Sequence, residues 1–343
     1  MADLDKSEAH PCFNFSAKGS HGRVHLPVAP ACNIKCNYCD RKYDCVNESR
    51  PGVSSAVLAP HQALAYLERV LQAEPRISVA GIAGPGDPMA NPARTLGTMN
   101  LLKERFPNLL MCLSSNGLAV PEHLDQLAEA GVTHMTITVN AVDPVIGARI
   151  YAWVKDGKVA YRGQDAARLL LERQALAVAG LKARGIIVKL NTIVIPGVND
   201  GHVEEVARWG AELGADLMNL MPMYPNTNTP FENIEEPSRP LMQELRQTCA
   251  RHISQMTHCT RCRADAVGLL GQDRSGEMAG CLSSCAKLPE LKDVTRPYVA
   301  VASREGMLVN LHLGQAPEFQ IWGPCSGGFE LKETRPAPPA GGG

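Results

Sequence analysis

Between Val24 and Met221 the sequence repeats one pattern six times: a short apolar, β-branched run, then a stretch of helical periodicity. Residues 24–30, 76–83, 109–114, 133–139, 185–195 and 216–221 predict strands. Residues 61–72 place Ala63, Leu64, Leu67, Val70 and Leu71 on one helical face, and 93–105, 121–130, 165–183 and 201–213 predict further helices. Pro121 and Gly131 bracket one of them, the asymmetry expected of helix ends. Strands separated by helices predict an α/β protein with a parallel sheet and right-handed crossovers. Six repeats fit a partial (β/α)6 barrel better than a doubly wound sheet, although periodicity alone does not choose between them. Either fold gathers its chemistry at the carboxyl ends of the strands.

The unusual residues lie at those ends. After the first strand comes Cys32-Asn-Ile-Lys-Cys36-Asn-Tyr-Cys39, three thiols spaced C-x3-C-x2-C. Three thiolates from one loop hold three irons of a four-iron cluster and leave the fourth iron open to a small molecule. Zinc loops more often pair one C-x2-C with a second, and a disulfide is the other plain alternative. With Tyr38 before the last cysteine, the loop resembles the signature of the radical S-adenosylmethionine (SAM) enzymes. That resemblance implies a [4Fe-4S] cluster at Cys32, Cys36 and Cys39 whose open iron chelates SAM and whose electron cleaves its C–S bond.

Twelve cysteines in 343 residues, after an N-terminus without the apolar core of a signal peptide, point to metal or redox ligation in a reducing cytoplasm. A formal net charge of −1 gives no electrostatic case for nucleic acid or an acidic membrane surface. No apolar run approaches the roughly 18 residues a spanning helix needs. Residues 1–23 read as an irregular arm and 24–235 as the barrel. Residues 144–163 within it look irregular. Residues 236–295 read as a C-terminal extension, with a helix over 238–256 and irregular chain beyond it. Residues 297–322 alternate like strands, and Arg335 to Gly343 read as a disordered Pro/Gly tail.

Several other constellations stand at the strand ends. The turn Ala83-Gly84-Pro85-Gly86-Asp87 lets backbone approach a ligand closely. It resembles the turn that binds the amino group of SAM in radical SAM enzymes, with Asp87 in place of Glu. An ordinary βα turn is the plain alternative. Ser115, Asn116 and Asn140 suit ribose hydroxyls and a carboxylate, and Asn191 and Met221 an adenine pocket, although strand-end capping accounts for each alone. Cys259-Thr-Arg-Cys262 is a metal-ligand pair that suits zinc and iron–sulfur alike. Cys45, Cys112, Cys12 and His25 complete a set of six soft ligands. Cys112 also reads as a buried core thiol, and His25 as a hydrogen-bonded strand histidine.

The stretches His10-Pro-Cys12-Phe-Asn, His25 to Cys39, Asp44-Cys45-Val-Asn-Glu48-Ser-Arg50, the glycine turn, and Cys259 to Gly271 resemble, in order, the NifB family of nitrogenase cofactor biosynthesis. The resemblance spans about residues 10–290, and residues 297–322 resemble the start of a NifX-like domain. It implies three [4Fe-4S] clusters: the SAM cluster and two substrate clusters, K1 and K2. His25, Cys45 and Cys112 would hold K1, and Cys12, Cys259 and Cys262 would hold K2. The two would be fused around a carbon from a SAM methyl group, with one added sulfur, into an eight-iron precursor. Glu48 and Arg50 would move protons or orient K1, a loop salt bridge being their plain alternative. Imidazole detaches from iron more readily than thiolate, which makes His25 the expected releasable ligand. Expected partners are iron–sulfur donors, a ferredoxin- or flavodoxin-like reductant, and a cofactor carrier or assembly scaffold. Cys249, Cys281, Cys285 and Cys325 read as structural or incidental thiols. The competing readings are a peptide-modifying radical SAM enzyme with extra clusters and a non-catalytic iron–sulfur scaffold.

Overall fold

The computed structural model describes residues 9–47, 52–289, 298–304, 309–312, 315–325 and 328–337. The first strand, β1 (Gly22–His25), is followed by β2 (Ile34–Cys36), α1 (Pro60–Ala73), β3 (Ile77–Ile82), α2 (Pro92–Arg105), β4 (Leu110–Ser115), α3 (Leu124–Glu129) and β5 (Val132–Thr138). Then come α4 (Pro144–Ile150), β6 (Tyr151–Asp156), β7 (Val159–Tyr161), α5 (Gly163–Ala183), β8 (Ile187–Val194), α6 (Val203–Glu212), β9 (Leu217–Pro222) and α7 (Arg239–Cys249). Proline opens α1, α2 and α4, where its missing N–H and fixed φ suit the first helical turn.

The main sheet runs β1-β3-β4-β5-β8-β9 with every one of these pairs parallel. Neighbours in space follow the order of the chain, so no switch point divides the sheet. That is the topology of a partial barrel and not of a doubly wound sheet. The strands are buried on both faces, as helices covering a parallel sheet require. Val79, Leu113, Ile137, Val188 and Leu190 are at most 1 % exposed, and Leu67, Leu102, Leu181 and Val206 of the helices are fully buried. Each such side chain contributes roughly 1.5–3 kcal/mol of burial.

Four sequence expectations need correction. Residues 144–163 are ordered as α4, β6 and β7, and β6 pairs antiparallel with β2, which carries Cys36 (Ile34↔Val154, Lys35↔Trp153). The cysteine loop is therefore held by its own three-stranded sheet, β2-β6-β7. The helix over 238–256 is shorter, ending at Cys249. The chain beyond Asp265 is regular: β10 (Val267–Leu269), β11 (Gln272–Asp273) and α8 (Ser275–Cys285). β10 pairs antiparallel with β1 and so joins the edge of the main sheet. Lastly, Arg335 and Pro336 continue a strand. The C-terminal sheet is β12 (Val299–Val301), β13 (Glu318–Cys325) and β14 (Gly328–Pro336), and the rest of the tail from residue 338 lies outside the described residues.

Candidate active site

The loop after β1 crosses the carboxyl end of the sheet and is clasped by the turn after β3. Ala29 N donates to Gly84 O, Gly86 N to Ala29 O, Asp87 N to Ala31 O and Cys45 N to Pro85 O, at 2.6–3.2 Å. A side chain at Gly86 would put its Cβ 2.1 Å from Ala31 O, so only glycine allows this approach. Asp87 ties the turn to β4: its carboxylate accepts from Met89 N, Ala90 N, Ser115 Oγ and Asn116 N at 2.6–3.2 Å. Burial pushes its carboxyl upward, and those four donors oppose the shift.

Cys32, Cys36 and Cys39 line a cavity of about 440 Å³ with Tyr38, Arg41, Cys45, Gly86, Asp87, Ser115 and Asn116. Burial pushes the Cys32 thiol up to about 12, with Asp87 adding to it, and lifts Cys36 further, with the Cys39 and Cys32 charges contributing. Such thiols ionise when a cation takes the proton's place. Tyr38 is fully buried: its hydroxyl donates to Asn47 Oδ1 at 2.5 Å and accepts from Asn140 Nδ2 at 2.7 Å. Asn140 also accepts from Ile193 N at 2.9 Å, so its amide is fixed behind Tyr38. Asn116 donates to Asn33 Oδ1 at 2.7 Å.

A second cavity, of about 620 Å³, adjoins the first, and Ser114 lines both. It brings together Cys12, His25, Cys112, Cys259 and Cys262, with Asn191 and Met221. Cys45 does not join them. It lines the first cavity, where burial and then the Cys39 and Cys32 charges raise its thiol. The set His25, Cys45 and Cys112 is thus divided between two adjoining cavities. Glu48 and Arg50 lie outside the described residues, and Gly84 supports the clasp through its carbonyl.

The donors in the second cavity fit iron–sulfur chemistry. His25 Nδ1 lies 3.0 Å from Arg263 O, so it carries the proton and leaves Nε2 with a lone pair for a metal. Burial, with Arg23 adding to it, lowers His25 to about 4 and keeps it neutral. Ser114 Oγ and His10 Nε2, both buried in the cavity wall, have no hydrogen-bond partner, as expected of groups that face a bound species. Among the described residues no three His, Cys, Asp or Glu side chains converge as a single-ion site requires. Ligands of a cluster sit on separate irons and need not converge. All twelve cysteines are free, which removes the disulfide alternative.

Sequence reasoning missed the residues that organise this cavity. The segment after Cys259 is clipped to the rest at four points. Arg23 donates to Cys262 Sγ, Arg263 O holds His25, Arg261 Nη2 donates to Val46 O at 3.1 Å, and Asp265 Oδ2 accepts from Ser55 N at 3.1 Å. Lys189, from β8, and His10 line the same wall. For Lys189 a charge within a predicted strand was the available signal, whereas Arg23, at the end of the irregular arm, gave none. Cys249 donates to Val203 O at 3.5 Å, and Cys281 and Cys285 lie on α8 against the helical layer, so these thiols are structural.

The radical SAM superfamily profile matches residues 26–210. The FeMo cofactor biosynthesis protein NifB of Chlorobaculum tepidum is 51 % identical over 340 residues, 97 % of this chain and 79 % of that protein. Its counterpart in Azotobacter vinelandii is 48 % identical, over 92 % of this chain and 72 % of that protein, and that of Klebsiella pneumoniae 42 %, over 97 % and 76 %. Among solved structures, Streptococcus suis SuiB bound to SAM superposes with a TM-score of 0.49 at 13 % identity, over 69 % of this chain and 50 % of that one. No helix among the described residues is long and apolar enough to cross a membrane. A profile match over more than half the chain, and identities of 42–51 % over nearly all of it, give one answer: the chain belongs to the NifB family of FeMo-cofactor biosynthesis proteins, within the radical SAM superfamily.

Proposed function

We propose that this enzyme fuses two four-iron clusters, with a carbide from a SAM methyl group and one added sulfur, into the eight-iron precursor of the nitrogenase cofactor. The observation that carries the reading is the second cavity, which gathers Cys12, His25, Cys112, Cys259 and Cys262 from four separate parts of the chain beside the Cys32 loop. When bound, the cluster at Cys32, Cys36 and Cys39 supplies the electron that cleaves the C–S bond of SAM. The protein's part is to bind and orient. Cys12, Cys259 and Cys262 would hold one substrate cluster. His25, Cys112 and Cys45 would hold the other at the junction marked by Ser114. The orphaned Ser114 hydroxyl lines both cavities and would face the species bound there. Arg41, Gly86 and Asn116 line the first cavity and would frame SAM. His25, with its Nδ1 already bonded to Arg263 O, binds through a neutral nitrogen and is the ligand suited to letting the product go. Glu48 and Arg50 would assist proton movement. Iron–sulfur donors, a low-potential reductant and a carrier for the product complete the reading.

The test is anaerobic iron and acid-labile sulfide analysis after reconstitution. Wild type should hold about twelve irons and Cys259→Ala/Cys262→Ala about eight, at four per cluster. About four irons in both, with zinc present, would sink the fusion reading. His25→Cys should retain product longer than wild type, and equal rates of fusion and release would remove the special role of the imidazole.

A further inference from the structure

Arg23 sits in β1 and is 2 % exposed. Its Nη1 donates to the carbonyls of Gly268 and Leu269 on β10, so the pairing Arg23↔Gly268 across the sheet edge fixes the guanidinium. That leaves Nε and Nη2 pointing at one atom: both donate to Cys262 Sγ, at 3.3 and 3.0 Å. Guanidinium keeps its charge in any protein environment. Burying it is costly unless its donors are met by an acceptor that welcomes positive charge. The acceptor here is a thiol on the wall of the second cavity, beside Cys12 and Cys259. The same charge is felt by Cys12, and by Asp273 on β11.

We propose that Arg23 is a positioning residue for the iron–sulfur cluster at Cys12, Cys259 and Cys262: it aims the Cys262 sulfur at the cavity and raises the reduction potential of the cluster bound there. This rests on the assignment of those three cysteines as cluster ligands. Two N–H donors on a ligand sulfur draw electron density from it. A fixed positive charge beside the cluster favours the reduced, more negative state, and burial strengthens both effects. One of the two clusters to be joined is thereby kept easier to reduce than its ligand set alone would make it.

The experiment is an anaerobic redox titration, followed by electron paramagnetic resonance, of reconstituted full-length wild type, Arg23→Gln, Arg23→Lys and Cys259→Ala/Cys262→Ala. The signal missing from the double variant reports this cluster. If that variant keeps every signal and all its iron, the ligand assignment fails, whatever the Arg23 variants do. With the signal identified, Arg23→Gln should keep its iron and shift to lower potential. The expected size is about a tenfold fall in the reduced-to-oxidised ratio at fixed potential, ~59 mV for one electron. Arg23→Lys should shift less, because it keeps the charge and loses the two-pronged geometry. It also serves as the reading should Arg23→Gln not fold. An unchanged midpoint and line shape in the variant that folds overturns the proposal.

Discussion

Replacing Tyr38 by Phe removes one oxygen from the best-enclosed polar contact beside the cysteine loop. The hydroxyl donates to Asn47 Oδ1 and accepts from Asn140 Nδ2, and the three residues are 0, 6 and 0 % exposed. Without it, one acceptor and one donor are left buried and unpaired, at about 1–3 kcal/mol each. Asn47 lines the first cavity and can turn partly toward it, whereas Asn140 is pinned by Ile193 N. The expected loss is therefore about 2–4 kcal/mol, below the sum of the two upper limits. At an m-value of about 3 kcal/mol per M, the urea midpoint of the anaerobic apo-protein should fall by roughly 1 M. Asn47→Ala removes the acceptor alone and should lower the midpoint less. The double variant should fall short of the summed losses by about 1 kcal/mol, because the two changes share one contact. A midpoint shift under about 0.2 M for Tyr38→Phe, or strict additivity in the double variant, would refute the claim that this hydroxyl ties the Cys36–Cys39 loop to Asn47 and Asn140.

Three further outcomes are expected. Gly86→Ala drives a methyl group into Ala31 O, and neither backbone can yield without moving the Cys32 loop. It should lose about 3 kcal/mol or more of stability, together with the iron bound at Cys32, Cys36 and Cys39, read by unfolding and iron analysis. Asp87→Asn places an amide N–H₂ among four donors, and should cost about 2–3 kcal/mol while Ser115→Ala costs less, by the same unfolding assay. Glu74 bonds Arg76 at 2.7 Å and Arg274 at 3.4 Å, and the Arg76 hydrogen bond chiefly lowers its carboxyl from 4.5 to about 2. A depressed carboxyl stabilises above the unfolded value, and that stability is lost as pH falls from about 4.5 through about 2. Glu74→Gln should flatten the acid limb of the stability profile over that window, and an unchanged limb would exclude the linkage.

The barrel strands were legible because each is a long apolar run in a fixed order with its helix. Residues 77–82, 132–138 and 187–194 differ from expectation only at their ends. The cysteine loop was legible because its three thiols are close together in the sequence. The β2-β6-β7 sheet was not. β7 is exposed throughout, β6 carries Lys155 and Asp156, and the pairing of β6 with β2 joins Lys35 to Trp153 across the chain. Arg23 escaped notice for the same reason: as a sequence letter it ends an irregular arm, and its meaning comes from a sulfur 239 residues away. Asp87 and Asn140 were read as ligand-facing. Both side chains also make hydrogen bonds that hold the scaffold, which spacing cannot reveal.

The antiparallel addition of β10 to β1 gives the molecule a timetable. Arg23 and Cys262 leave the ribosome 239 residues apart, roughly 12–50 s at ordinary synthesis rates of about 5–20 residues per second. Cys32, Cys36 and Cys39 emerge together and early, whereas the second cavity gains its last wall only after Cys259 and Cys262 have emerged. Until then the nascent chain offers Cys12 and His25 with no closing edge, open to stray zinc or oxidation. The second cavity is therefore a late product of folding, complete only once the segment after Cys259 has closed against β1.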